Sequence, residues 1–223
     1  MVQYKAFDND EDWKQFRIDY FTSSEIHRLM TEPKAKGELL SVGAKTYVME
    51  KVAEKIATPE PDYYNSDMER GNEFEPIAVL KVAEYLGKSI DDDDFIYTSV
   101  GGKIFFYDEE LGLGGTPDII IKNLMDVELK VPKSKTHLDY LLITDQEQLK
   151  KEIPKYYGQM QSNMFLTGSR KAMFGSFDDR FYNEKLHFHN LMIEYDSDYV
   201  NRMIEKVGYA KEMKNKMLEK FTQ

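Results

Sequence analysis

Two short apolar runs in mid-chain, residues 117–122 and 126–131, are separated only by Asn123-Leu124-Met125. Runs rich in Ile and Val at this spacing predict an antiparallel hairpin. Further runs of Ile, Phe, Tyr and Val at 95–100 and 103–107 precede it, and 171–177 and 186–195 follow. A sheet of this size needs helices to cover it, and the flanks supply them. Residues 38–57 carry Leu39, Ala44, Tyr47, Val48, Val52 and Ile56 at helical spacing. Residues 67–86, with Phe74, Ile77, Ala78 and Leu86 on one face, close at Gly87. Pro76 inside that stretch predicts a kink or restart at Glu75-Pro76, because proline removes a backbone donor. A shorter helix is expected over 9–20, around Trp13 and Phe16, and a hydroxyl-capped start at Thr22-Ser23-Ser24-Glu25. Residues 146–166 and 198–221 read as helices beyond the hairpin. Helices, a hairpin sheet, then helix, strands and helix define an α/β or α+β fold with a mixed sheet. No repeat or Gly/Ser linker interrupts the 223 residues, so a single domain spanning 1–223 is expected.

Several function classes drop out early. Cysteine is absent, which excludes disulfides, thiol catalysis and cysteine-held zinc or iron–sulfur sites. No run approaches the roughly 18 apolar residues of a membrane helix. The opening Met1-Val2-Gln3-Tyr4-Lys5 has no signal segment, so a cytoplasmic location without membrane contact is expected. The net charge of −10 does not by itself suggest a nucleic-acid binder. The charge is uneven, however. Residues 54–75 hold seven acids against two bases, 130–155 six bases against four acids, and 201–223 six against three. The two basic stretches are candidate linings of a channel or rim for a polyanion.

The chemistry concentrates on the hairpin. Its first run begins Gly114-Gly115-Thr116-Pro117-Asp118, and its second contains Glu128-Leu129-Lys130. Residues i and i+2 of a strand face one side, so Glu128 and Lys130 point together. Pairing brings Asp118 to the same end. Two carboxylates and an ammonium then converge. Hard carboxylate oxygens suit Mg²⁺ or Mn²⁺, which would polarise a phosphate and acidify water. The lysine would orient that water or neutralise charge growing on phosphorus. Taken singly, each part has an ordinary explanation: an edge-strand ion pair, or Pro-Asp turn chemistry. Upstream, Arg70-Gly71-Asn72-Glu73-Phe74-Glu75 puts an acid on a helix. Downstream, Tyr156-Tyr157-Gly158-Gln159-Met160-Gln161 puts two glutamines on another.

These blocks, with Trp13-Lys14-Gln15-Phe16-Arg17 and Phe21-Thr22-Ser23-Ser24-Glu25-Ile26-His27, resemble the λ exonuclease (YqaJ) family of phage alkaline exonucleases. That family lies within the PD-(D/E)XK nuclease superfamily, so the resemblance implies a restriction-endonuclease-like core with flanking helices. It further implies a Mg²⁺-dependent 5′→3′ exonuclease on linear double-stranded DNA. The product would be a 3′ single strand for a partner single-strand annealing recombinase. Family members typically form a ring-shaped homotrimer around DNA.

Carried over by motif, Asp118 and Glu128 would be metal ligands, with the Leu129 carbonyl beside them and Glu75 on a second metal. Lys130 would orient the attacking water, and Gln159 would hold Lys130 or that water. Arg17, Ser24 and Thr116 match positions that cradle the 5′-phosphate. Thr116 stands where a serine is expected and keeps the hydroxyl. Met68 matches an apolar wedge at the strand end, and Lys34 a guide for the strand. Other readings stay open: an endonuclease of the same superfamily, or a non-catalytic acidic protein that mimics DNA or regulates. His187 and His189 alternate on an expected strand without a third ligand and read as ordinary sheet residues. Asp91–Asp94 read as a solvated turn, and Trp13 and Phe16 as core.

Overall fold

In a computed structural model, residues 1–58, 66–98 and 103–221 are described, with the side chains of 66–68 set aside. The hairpin forms as the spacing requires. β6 (Ile119–Ile121) pairs antiparallel with β7 (Met125–Lys130), in the register Ile119 to Val127. Asn123 takes the turn's left-handed position at φ 59°, which a short polar side chain tolerates. β3 (Phe95–Tyr97) pairs antiparallel with β6. On the other side β7 runs parallel to β8 (Lys171–Phe177), which pairs antiparallel with β9 (Phe188–Glu194). This gives a mixed sheet of order β3-β6-β7-β8-β9.

A second sheet was not legible as such. Its order is β1-β4-β5-β2, from β1 (Val2–Phe7), β4 (Lys103–Asp108), β5 (Leu113–Gly115) and β2 (Phe21–Thr22). β5 has two glycines in three residues, so it carries no apolar alternation to read. β1 and β2 are the edge strands, and β2, only two residues long, lies parallel to β5.

Helices cover both faces of the larger sheet. α4 (Ser66–Leu86) packs Ala78, Val79, Val82 and Ala83 onto Ile119, Val127, Leu129 and Met173. α7 (Pro154–Thr167) packs Tyr157, Met160 and Met164 onto Ala172, Phe174 and Ile193 on the opposite face. α2 (Ile26–Met30), α3 (Val42–Ile56) and α8 (Ser197–Phe221) enclose a third cluster with Phe21 and Leu113. α1 (Asp10–Arg17) closes an aromatic cluster of Phe7, Phe16, Tyr20, Phe105 and Tyr107 over the smaller sheet.

Four expectations need correction. α4 runs unbroken through Pro76, although an interior proline costs roughly 3 kcal/mol. The helix is anchored on both sides of it, by Arg70 on Asp178 and Asp179 and by the buried run 78–83. The expected helix 146–166 is two helices, α6 (Gln146–Glu152) and α7. The chain breaks at Ile153, and Pro154 opens α7 where its missing donor is harmless. An additional helix, α5 (Ser134–Leu141), follows β7. Finally, the basic stretch 201–223 is no simple channel lining. Lys206 and Lys214 are buried, with their ammonium groups on the carbonyls of Thr31 and Asp19. Lys211 caps the carbonyls of Glu109 and Glu110. Long lysine stems cover the α8 core contact and their heads satisfy loop carbonyls. No helix among the described residues is long and apolar enough to cross a membrane.

Candidate active site

β7 is buried on both faces, and its side chains sort by alternation. Val127 and Leu129 enter the cluster beneath α4, so Asp126, Glu128 and Lys130 take the α7 side. Glu128 is only 1% exposed, and Lys130, at the strand end, is partly open. Lys130 Nζ is ion-paired to Glu128 Oε1 and lies 3.3 Å from Asp118 Oδ2. Its ammonium also sits 5.3 Å from the centre of the Tyr156 ring on α7. Asp118 stands one residue before β6, just past the last ladder pair. There its Oδ2 accepts the Leu129 N–H at 2.7 Å. In an antiparallel pair a residue's N–H and C=O face the same neighbour, so the Leu129 carbonyl is directed to the Asp118 side. Glu75 arrives from α4, and Tyr97 Oη on β3 donates to its Oε1 at 2.8 Å.

The electrostatics follow. Burial pushes the Glu128 carboxyl well above its ordinary range, the charge of Asp118 pushes it further, and Lys130 opposes both. Burial also raises Glu75, with Tyr97 pulling down and Asp118 pushing up. For Lys130, burial works against its charge, but Asp118 and Glu128 outweigh it and hold the ammonium above its usual value.

Three carboxylates against one ammonium leave two formal negative charges. Glu128 Oε1 meets Lys130, but its Oε2 is buried without a hydrogen-bond partner, which native interiors rarely leave unmet. A divalent cation fits this donor set: hard oxygens from Asp118, Glu128 and Glu75 beside a backbone carbonyl. Among the described residues no three acidic or histidine side chains already close around one point; Lys130 is ion-paired to two of the three carboxylates.

A cavity of about 190 Å³ opens from Asp118. Arg17, Ser24, Thr116 and Gln159 all line it, together with Trp13, Thr22, Ser23, Lys103 and Gly115. The hydroxyl-rich turn 22–25 is wedged in place by Ser23, whose Oγ lies 2.8 Å from Ser162 Oγ on α7. Thr22 and Ser24 hydroxyls are 3.3 Å apart.

The structure therefore brings Asp118, Glu128, Leu129, Lys130, Glu75, Gln159, Arg17, Ser24 and Thr116 to one end of the larger sheet. It separates the two glutamines of α7. Gln159 faces the cavity. Gln161 is buried and bridges β9 to α8, through the Glu194 carbonyl at 2.9 Å and the Asp196 N–H at 2.8 Å. Residues i and i+2 of a helix do not share a face. Lys130 is held by Asp118, Glu128 and the Tyr156 ring. Lys34 lines a different depression, formed by residues 31–45. The Met68 side chain lies outside the described residues. Of the histidines, His189 lies on β9 and His187 just before it. Neighbouring His137 spends both ring nitrogens on Ser176 Oγ and the Leu186 carbonyl. Asp91–Asp94 form an exposed turn tied down by Lys88 and Lys122. Phe16 is core as expected, but Trp13 has one side in the aromatic cluster and the other on the cavity. Trp13, Lys103, Tyr97 and Tyr156 were not singled out as site residues. For Trp13 a signal existed, its i,i+4 spacing from Arg17 on one helix. The others arrive from distant elements.

A mixed sheet between helices, with a carboxylate pair and a lysine at the strand ends, is the core of restriction-endonuclease-like nucleases. The chain belongs to the YqaJ-like viral recombinase domain family, whose sequence profile matches residues 12–170. No curated protein matches the chain. Among solved structures it is similar to the alkaline exonuclease LHK-Exo from Laribacter hongkongensis. The identity is 23%, 96% of each chain is covered, and the TM-score is 0.71. The same exonuclease in complex with dAMP gives 24% identity, 95% and 96% coverage and a TM-score of 0.71. A phage related exonuclease from Haemophilus somnus 129PT gives 17%, with 91% and 96% coverage and a TM-score of 0.71. Family membership supports a nuclease function.

Proposed function

We propose that the chain is a Mg²⁺-dependent exonuclease, with Mn²⁺ as an alternative metal. It would degrade one strand of linear duplex DNA 5′→3′ from a 5′-phosphorylated end. The observation that carries this reading is Asp118, which belongs both to the Glu128–Lys130 cluster and to the wall of the Arg17–Ser24–Thr116 cavity. A terminal phosphate held there would set the next phosphodiester before the carboxylates. Asp118, Glu128, the Leu129 carbonyl and Glu75 would hold the metal, which when bound polarises the scissile phosphate and acidifies water.

The chain's own groups do the rest. Lys130 donates to the attacking water or to the phosphate oxygens, where negative charge grows. Gln159 orients the water from the facing helix. Water adds to phosphorus and gives up a proton to solvent, the bond to the 3′ oxygen breaks, and that oxygen takes up a proton from solvent to leave as a hydroxyl. One 5′-mononucleotide departs, and the shortened strand keeps a new 5′-phosphate for the same cavity. The 3′ strand left behind would serve an annealing recombinase in phage or prophage recombination within a host cell. Encirclement by a ring-shaped trimer, closed by a head-to-tail interface, would keep an acidic protein on DNA.

The test uses linear duplex DNA labelled at either end, with and without Mg²⁺, beside closed circles. Early release of 5′ label as mononucleotide, with circles intact, supports the reading. Cut circles would establish an endonuclease, and no cleavage with any divalent metal would establish a non-catalytic binder. Light scattering should give three subunits, and a processive monomer would remove the ring.

A further inference from the structure

Two cations converge on the one tryptophan of the chain. The Arg17 guanidinium lies 4.3 Å and the Lys103 ammonium 4.2 Å from the Trp13 ring centre. The same indole donates its N–H to Thr116 Oγ1 at 3.3 Å. All four residues line the cavity that opens from Asp118. Among the described residues Arg17 has no carboxylate within ion-pair distance. Among the described residues Lys103 forms an ion pair with Asp10, at 3.0 Å, on an exposed side chain. Such an exposed pair is weak in water.

We infer that Lys103 is the second cation of the terminal-phosphate pocket, and that Trp13 is the platform holding Arg17, Lys103 and Thr116 around it. The inference rests on the 5′-phosphate reading above and deepens it. Its chemistry lies in charge. A terminal phosphomonoester carries close to two negative charges at neutral pH, whereas an internal phosphodiester carries one. Arg17 alone balances a diester. Arg17 with Lys103 balances the monoester, so Lys103 makes the pocket selective for ends. Two like charges held together by a π-face and facing hydroxyls are an arrangement an incoming dianion relieves. Lys103 comes from β4 and Arg17 from α1, so the pair also reports that the smaller sheet is docked against α1. Asp10 acts as a competitor: it holds the ammonium until phosphate arrives.

Because Trp13 is the sole tryptophan, its emission reads the pocket directly, without metal or turnover. The experiment titrates the full chain, in chelator, with a short duplex bearing either a 5′-phosphate or a 5′-hydroxyl. The expected result is an emission change and tighter binding for the phosphorylated end. Lys103→Met should weaken that binding about tenfold and lower the log–log salt slope by about one. Lys103→Arg should restore most of both. Asp10→Asn should tighten binding, since it frees the ammonium. If Lys103 only stabilises the fold through Asp10, K103M and D10N would shift binding in the same direction, and the inference falls. Unchanged affinity and slope in K103M would overturn it as well. A wild-type chain that does not distinguish the two ends would overturn both this inference and the 5′-phosphate reading. Discrimination retained by wild type and by K103M alike would overturn this inference only.

Discussion

The Leu129 N–H donates to Asp118 Oδ2 at 2.7 Å, across a hairpin that separates the two residues by eleven positions. The strand that carries Glu128 thus also fixes the orientation of Asp118, so the two carboxylates move as one body. Asp118→Asn keeps an acceptor for that N–H and removes the charge. The fold should survive with a loss of about 1 kcal/mol. Cleavage should fall by at least about two orders of magnitude, since even groups behind metal ligands cost 10–100-fold. Turnover measured beside calorimetry separates the two effects. An active D118N chain would remove Asp118 from the chemistry.

Lys130 has a structural duty as well as a chemical one. Among the described residues it is the cation ion-paired with the buried Glu128. Removing one member of a buried pair typically costs about 3–5 kcal/mol. Lys130→Met should therefore lower the melting temperature in chelator and abolish cleavage. Mg²⁺ should recover more stability in the variant than in wild type, because a cation at Glu128 replaces the missing charge. Equal melting temperatures for variant and wild type in chelator would contradict the pairing.

The hairpin and its three charged residues were legible because two simple rules meet there. Alternation put Glu128 and Lys130 on one side, and the three-residue turn brought Asp118 opposite them. The cavity was less legible. Arg17 and Thr116 meet only because β5, with its two glycines, runs beside β2 and carries Thr116 to the turn at Ser23. Nothing in Leu113-Gly114-Gly115 resembles a strand by periodicity. Lys103 reaches Trp13 from the strand edge, ninety positions away along the chain, a contact that composition and local spacing do not encode. The motif carried a role to Gln159 alone, and the helical rotation between Gln159 and Gln161 turns the first to the cavity and the second into the core.

Arg17 tests the specificity of the proposed end binding. Arg17→Ala removes the guanidinium from the cavity and from the face of Trp13. The preference for 5′-phosphate over 5′-hydroxyl ends should vanish, with a loss of about tenfold or more in kcat/KM on phosphorylated ends. The check is the ratio of rates on the two substrates. A preserved ratio would place the phosphate site elsewhere.

Acid should unfold the protein partly through Asp196. Burial pushes this carboxyl up, but Lys150 Nζ, the Tyr199 N–H and Tyr157 Oη all donate to it and bring it down to about 2. A depressed carboxylate contributes stability that is complete above its unfolded value, near 3.8, and lost as pH falls toward 2. Solvent around the partly exposed Lys150 screens the pair, so the contribution is about 1 kcal/mol. Asp196→Asn should therefore be less stable than wild type at pH 6 and should converge with it near pH 2. Urea denaturation across that range provides the measurement. A stability gap that stays constant with pH would remove Asp196 from the acid response.

Gly115 on β5 lies tight between the turn at Ser23 and α7. A Cβ there would lie 2.1 Å from Ser23 Oγ and 2.4 Å from Asn163 Oδ1. Neither neighbour can easily withdraw, since Ser23 is tied to Ser162 and Asn163 is buried in α7. Gly115→Ala should cost about 1–3 kcal/mol by overpacking. It should also displace Thr116, the next residue, and so weaken 5′-phosphate discrimination together with stability. Adding Ser23→Ala removes the nearest atom and should recover part of the loss. Gly71 is the control. A Cβ there meets nothing within 4 Å inside α4, and Gly71→Ala should raise stability by up to about 1 kcal/mol through helix propensity. Thermal denaturation of the four chains decides the matter. A G115A chain as stable as wild type would mean that α7 and the turn at Ser23 can separate without cost, and the cavity would lose the rigid wall that positions Thr116.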